Sequence, residues 1–116
     1  VIFWLLFTRD KSVVLTIRIA MLVKVEVRYF AMLREIAGKR GETVSLLPNS
    51  SVMDLINLLV ERYSDEFKGY IYDAENQVRN YLSYLLNGFN VNSLDGFDTK
   101  LNDGDQLSLL PPVSGG

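Results

Sequence analysis

LNDGDQLSLLPPVSGG, residues 101–116, holds a turn, a strand, a stop and a tail in one uninterrupted run. Asn102-Asp103-Gly104-Asp105 reads as a sharp turn, because Asn and Asp close on their own backbone and Gly supplies the open dihedrals. Gln106 to Leu110 reads as a strand. Pro111 and Pro112 have no N–H to donate to a ladder, so pairing stops there and the remaining residues leave the sheet as an extended arm. A sheet whose last strand ends in such an arm sets the frame for everything upstream.

The stretch VKVEVRYF at 23–30 alternates Val23, Val25, Val27 and Tyr29 with Lys24, Glu26, Arg28 and Phe30, the period-2 signature of a half-buried strand over about 22–30. AMLREIAG then predicts a short helical turn with Leu33, Ile36 and Ala37 on one side, stopped by Gly38. Lys39-Arg40-Gly41 predicts a turn, and Glu42 to Leu47 a second strand pairing with the first. Ser51 to Asp54 has capping-box spacing with Asp in place of the usual Glu or Gln. Val52, Leu55, Ile56, Leu59 and Tyr63 follow at helical intervals, which predicts a helix over about 51–63. Residues 64–82 predict a loop with a short helix, Tyr70, Ile71, Tyr72, Val78, Tyr81 and Leu82 supplying apolar contacts. Tyr84 to Leu86 and Phe89 to Val91 predict two short strands around an Asn87-Gly88 turn. The order is that of an α+β fold, a mixed sheet with one long helix packed across one face.

Composition narrows the function. The chain has 116 residues, 48% of them apolar, enough for one domain with its own core. A net charge of −2 without a basic cluster argues against nucleic acid, and the absence of Cys and His removes thiol nucleophiles, imidazole bases and the usual zinc ligands. Residues 1–20 open on an apolar run, Val1 to Phe7, too short to span a bilayer and lacking the layout of a secretory signal. The expectation is an N-terminal extension to a domain of residues 21–116, with a hairpin of 2–7 and 13–19 on a sheet edge as the alternative. No membrane partner and a cytoplasmic location are expected. Asp103 with Asp105, Asp65 with Glu66, and Asp73 with Glu75 are read as turn or solvated loop charges and assigned no catalysis or metal.

RYFAMLREIAG at 28–38, LLNG at 85–88 and above all LNDGDQLSLLPPVSGG at 101–116 resemble the ubiquitin-like β-grasp sulfur carriers, most closely the MoaD-like small subunit of molybdopterin synthase within the MoaD/ThiS superfamily. The resemblance covers Met21 to Gly116 and implies a flexible Gly-Gly tail over 111–116. It implies that the C-terminal carboxylate of Gly116 is adenylated by a ubiquitin-activating-type, MoeB-like enzyme, which uses the ATP. Sulfur would then displace AMP to give a thiocarboxylate. A large, MoaE-like subunit would take the end into its active site, where the sulfur passes to a cyclic pterin precursor of the molybdenum or tungsten cofactor. The chain would bind no cofactor of its own and would form a heterotetramer with the large subunit.

The tail chemistry agrees with that scheme. A carboxylate of pKa about 3.3–3.7 is ionised at neutral pH and resists attack until activated. Gly115 and Gly116, without Cβ, enter narrow channels; Pro111 and Pro112 stiffen the arm; Val113 and Ser114 supply reach; and the chain must stop at Gly116 for its carboxylate to be free. The resemblance also implies partner contacts at Phe30, on the outward parity of the first strand, at Leu110 before the prolines, and at Arg34. A ubiquitin-like modifier joined through Gly116 to lysine, a carrier for thiamine or tRNA thiolation, and a β-grasp module with an inert tail are the alternatives.

Overall fold

Strand β1, Val23–Tyr29, buries Val25, Val27 and Tyr29 and leaves Lys24, Glu26 and Arg28 in water, as the alternation requires. The computed structural model describes residues 20–79 and 82–111. Residues 1–19 of the expected extension 1–20, with its alternative hairpin, and the tail residues 112–116 lie outside them. After β1 comes the short helix α1, Met32–Ala37, which buries Leu33 and is closed by Gly38 in the left-handed conformation, φ 76°. Strand β2, Gly41–Leu46, returns antiparallel to β1, with Val25 opposite Val44 and Val23 opposite Leu46. Gly41 belongs to this strand rather than to the preceding turn. A Cβ there would meet the Val27 carbonyl oxygen at 2.6 Å, so the pairing begins on a residue that has none.

Helix α2, Val52–Arg62, carries Val52, Leu55, Ile56 and Leu59 into the core. Its capping box is complete: Asp54 N donates to Ser51 Oγ at 3.2 Å, and Ser51 N donates to the Asp54 carboxylate at 2.9 Å. Those hydrogen bonds hold the Asp54 carboxyl below its usual range. Replacing Ser51 by Ala leaves the Asp54 N–H at the helix start without its acceptor, while the Ser51 backbone N–H keeps its own. The expected loss is about 1 kcal/mol, read as a lower urea midpoint at unchanged slope.

The segment after α2 is more ordered than its mixed composition suggests. Helix α3, Asp65–Ile71, places Phe67 and Ile71 fully inside. Asp65 and Glu66 sit in its first turn, where negative charge suits the helix dipole, rather than in a loop. Asp73 is likewise no free loop charge, since its Oδ1 accepts from Glu75 N and Gln77 N, both at 2.9 Å.

Strands β3, Ser83–Leu86, and β4, Phe89–Asn90, flank the Asn87-Gly88 turn. The second is shorter than the sequence suggests because buried Val91 already enters a 3-10 turn. Strand β5, Gln106–Leu110, ends where Pro111 begins. The sheet runs β2-β1-β5-β3-β4. β5 therefore lies at its centre, parallel to β1 and antiparallel to β3. Leu107 and Leu109 of β5 join Val25, Val27, Leu55 and Ile56 in a single core. This is the β-grasp arrangement, a mixed five-stranded sheet with helices packed across it.

The carboxylates around the last turn are structural, as read. Asp103 Oδ1 accepts from Lys24 N at 2.8 Å. Asp105 accepts from Asn102 N at 2.7 Å and from Asn87 Nδ2 at 2.9 Å, tying the turn before β5 to the turn after β3.

Candidate functional site

Parallel pairing brings the ends of β1 and β5 to the same edge of the sheet. Their register finishes with Tyr29 beside Leu109, so Phe30 and Leu110 emerge side by side although they lie far apart in the sequence. Both are half-buried. Pro111 follows, exposed, and starts the tail on this edge; Pro112, Val113, Ser114, Gly115 and Gly116 fall outside the described residues.

The edge has an apolar cleft of about 360 Å³, with Phe30, Met32 and Leu33 on one side and Tyr70, Leu82 and Pro111 completing it. Met32 is one of the few large apolar side chains left substantially in water. Arg34 stands over this wall with its guanidinium carbon 5.8 Å from the centre of the Phe30 ring, and its Nε donates to the Tyr29 carbonyl at 3.4 Å. A cation at that height is attracted by the ring face. No carboxylate among the described residues lies within ion-pair distance of Arg34. Phe30, Arg34, Leu110 and the start of the tail, each singled out in the sequence, are thus brought to one place. The sequence reading omitted Met32, Tyr70 and Leu82 as cleft residues. The i, i+2 relation of Phe30 and Met32 across a turn leaves no periodic trace.

The turn into α1 has a cost of its own. Ala31 sits at φ 51° and ψ −126°, a conformation that costs a residue with a Cβ about 1–3 kcal/mol. It joins Phe30, the residue after β1, to the helix bearing Arg34.

Behind the edge lies a polar clasp. Tyr29 Oη donates to a Glu42 carboxylate oxygen at 2.6 Å, Tyr63 Oη donates to the same oxygen, and Arg62 Nη1 donates to the other at 2.8 Å. Lys39 Nζ stands 3.8 Å away. Burial alone would raise the Glu42 pKa, but these hydrogen bonds and the Lys39 charge outweigh it and hold the carboxyl below its ordinary value. Burial first, and then the hydrogen bond to Glu42, pushes the Tyr29 and Tyr63 hydroxyls up. Phe67 stacks on Tyr63 at 5.0 Å and meets Tyr29 edge-on at 6.0 Å. The clasp joins β1, β2 and the end of α2 through the Glu42 carboxylate, both of whose oxygens are taken up by its members.

Among the described residues there is no group of three or more carboxylates, His or Cys that could hold a metal. No described helix is long and apolar enough to cross a membrane. What the edge offers chemically is a shaped apolar surface with one cation, at the root of the tail.

Known proteins are similar to this chain in sequence and architecture. The ThiS family model matches residues 27–116. Small archaeal modifier protein 3 of Haloferax volcanii is 35% identical over 94 residues, covering 81% of this chain and 100% of that protein. A molybdopterin synthase sulfur carrier subunit of Drosophila erecta is 33% identical over 96 residues, covering 81% and 92%. The solution structure of small archaeal modifier protein 1 from Methanosarcina acetivorans superposes with a TM-score of 0.69 at 34% identity, over 82% of this chain and 98% of that one.

Proposed function

The chain belongs to the ThiS family of ubiquitin-like sulfur carriers, and on that premise we propose that it is the small, sulfur-carrying subunit of a molybdopterin synthase. The observation that supports this most is the common edge: β1 and β5 end together, so the root of the tail emerges between Phe30, Arg34 and Leu110. In this reading an adenylating enzyme of the ubiquitin-activating type, MoeB-like, docks on that edge and uses ATP to convert the Gly116 carboxylate into an acyl-adenylate, releasing pyrophosphate. A persulfide sulfur then attacks the acyl carbon and AMP leaves. Reductive cleavage of the S–S bond by a donor thiol yields the thiocarboxylate. Pro111 through Gly115 carry this end into the active site of a MoaE-like large subunit, two copies of each subunit forming a heterotetramer. The sulfur is delivered there to a cyclic pterin precursor. The carrier holds no cofactor itself.

The test is the intact mass of the full chain after incubation with its cognate adenylating enzyme, ATP and a persulfide donor. The expected product carries one sulfur in place of one oxygen, and adding the large subunit and pterin precursor returns the mass to its starting value. No change with an enzyme that is active on another carrier overturns the carrier reading.

The match to a small archaeal modifier protein over that protein's whole length favours a second reading. In it, a lysine amine attacks the activated Gly116 acyl group and an isopeptide bond forms. Tryptic peptides from cells expressing the chain whose lysine bears a branched remnant of residues 101–116, left by cleavage after Lys100, would support conjugation; their absence, with thiocarboxylate present, leaves the synthase role.

A further inference from the structure

Four non-glycine residues have positive φ among the described residues, and three of them, Asn49, Asn76 and Asn87, are of the type that tolerates it through local side-chain hydrogen bonding. The fourth is Ala31. Its φ of 51° with ψ −126° is that of the first central residue of a type II′ turn, a place taken by glycine, asparagine or aspartate. Alanine brings neither glycine's freedom nor a polar side chain to offset the clash of its Cβ with the backbone.

The conformation is imposed from both sides. Tyr29 before it and Leu33 after it are 1% and 2% exposed. The Ala31 carbonyl accepts from Arg34 N at 3.1 Å and from Glu35 N at 3.3 Å, which starts α1. Ala31 itself is exposed, at the lip of the apolar cleft and outside the core. Glycine would satisfy the same backbone with less strain, so the methyl group earns no stability where it stands. What it does is narrow the dihedrals open to the link between Phe30 and Arg34.

We propose that Ala31 is a positioning residue for partner docking: its strained turn holds the Phe30 ring and the Arg34 guanidinium in one arrangement beside the root of the tail. The inference rests on the carrier reading above. An activating enzyme that meets a surface already arranged loses less side-chain and backbone entropy on binding than one that must order it. Glycine at this position widens the accessible dihedrals and returns that cost to the binding step.

The test uses the full chain as wild type, as Ala31→Gly, and with D-alanine replacing Ala31 by semisynthesis. D-alanine prefers positive φ, so it keeps the turn narrow without the strain. Ala31→Gly is expected to melt no lower than wild type, and the D-alanine protein about 2–5 °C higher. In ATP–pyrophosphate exchange by the cognate adenylating enzyme, Ala31→Gly should raise KM for the carrier about five- to tenfold with kcat within about twofold, and D-alanine should restore KM. Without any partner, three-bond couplings of Phe30 should report one χ1 rotamer in wild type and the D-alanine protein, and averaging in Ala31→Gly. Unchanged KM with an unaveraged Phe30 overturns the proposal, and so does a fall in melting temperature that accounts for the loss of binding. If wild type supports no exchange, the carrier reading fails, and the Phe30 couplings still decide the role of Ala31.

Discussion

A chain lacking only Gly116 is expected to fold as the full chain does and to give no thiocarboxylate product. The buried core of the described residues runs from Val25 to Leu109, and Gly116 has no side chain to add to it. It does draw the carboxylate back by one residue, about 3.3–3.6 Å in an extended arm. Attack on an acyl group requires the reacting atoms within about 3–3.5 Å, so a shift of that size takes the carboxylate away from the nucleotide entirely. The expected result is complete loss of the oxygen-to-sulfur mass change, with a melting temperature indistinguishable from wild type. Gly116→Ala should fall between the two, since the reach is kept and only a methyl group is added in the channel. Conversion of the shortened chain at the normal rate would mean that the tail's length is not read by the activating enzyme, and the assignment of Gly116 would go with it.

Glu42→Ala has the largest expected effect on stability. It removes the acceptor of the Tyr29 and Tyr63 hydroxyls and the partner of Arg62. The Tyr29 side chain is 1% exposed, so its hydroxyl cannot turn to water. A buried donor left without a partner costs about 1–3 kcal/mol, and losing the ion pair brings the expected total to about 2–4 kcal/mol. Domains of this size are stable by about 5–15 kcal/mol, so the variant should show a much lower urea midpoint at unchanged slope. The pH dependence has a definite sign. The folded Glu42 carboxyl titrates below its ordinary value of 4.5, so the unfolded chain binds the proton more readily. The clasp's contribution is therefore present above that ordinary value and is lost as pH falls through the folded one. Wild type should lose stability through this acid window and Glu42→Ala should lose less. Equal acid slopes, or a destabilisation below about 1 kcal/mol, would show that the clasp does not hold β1, β2 and α2 together.

The local elements could be read from the chain because each leaves a periodic or positional mark. Alternation at Val23, Val25 and Val27 identified β1 and its buried face. Ser51 and Asp54 marked the start of α2 to the residue, since a capping box needs both side chains three apart. Pro111 marked the end of β5. Phe67 left no such mark: α3 is only seven residues long, and one aromatic in a polar context becomes core only because Tyr29 and Tyr63 are waiting for it.

Turns, faces and caps are properties of short stretches, so residue order alone settles them. The company that each stretch keeps is different. β5 enters the sheet between β1 and β3, and that choice depends on burying Leu107 and Leu109 between neighbours distant along the chain, which no local pattern encodes. Because β5 runs parallel to β1, their ends coincide. That coincidence, decided only in the folded molecule, sets Phe30, Arg34 and Leu110 around the root of the tail.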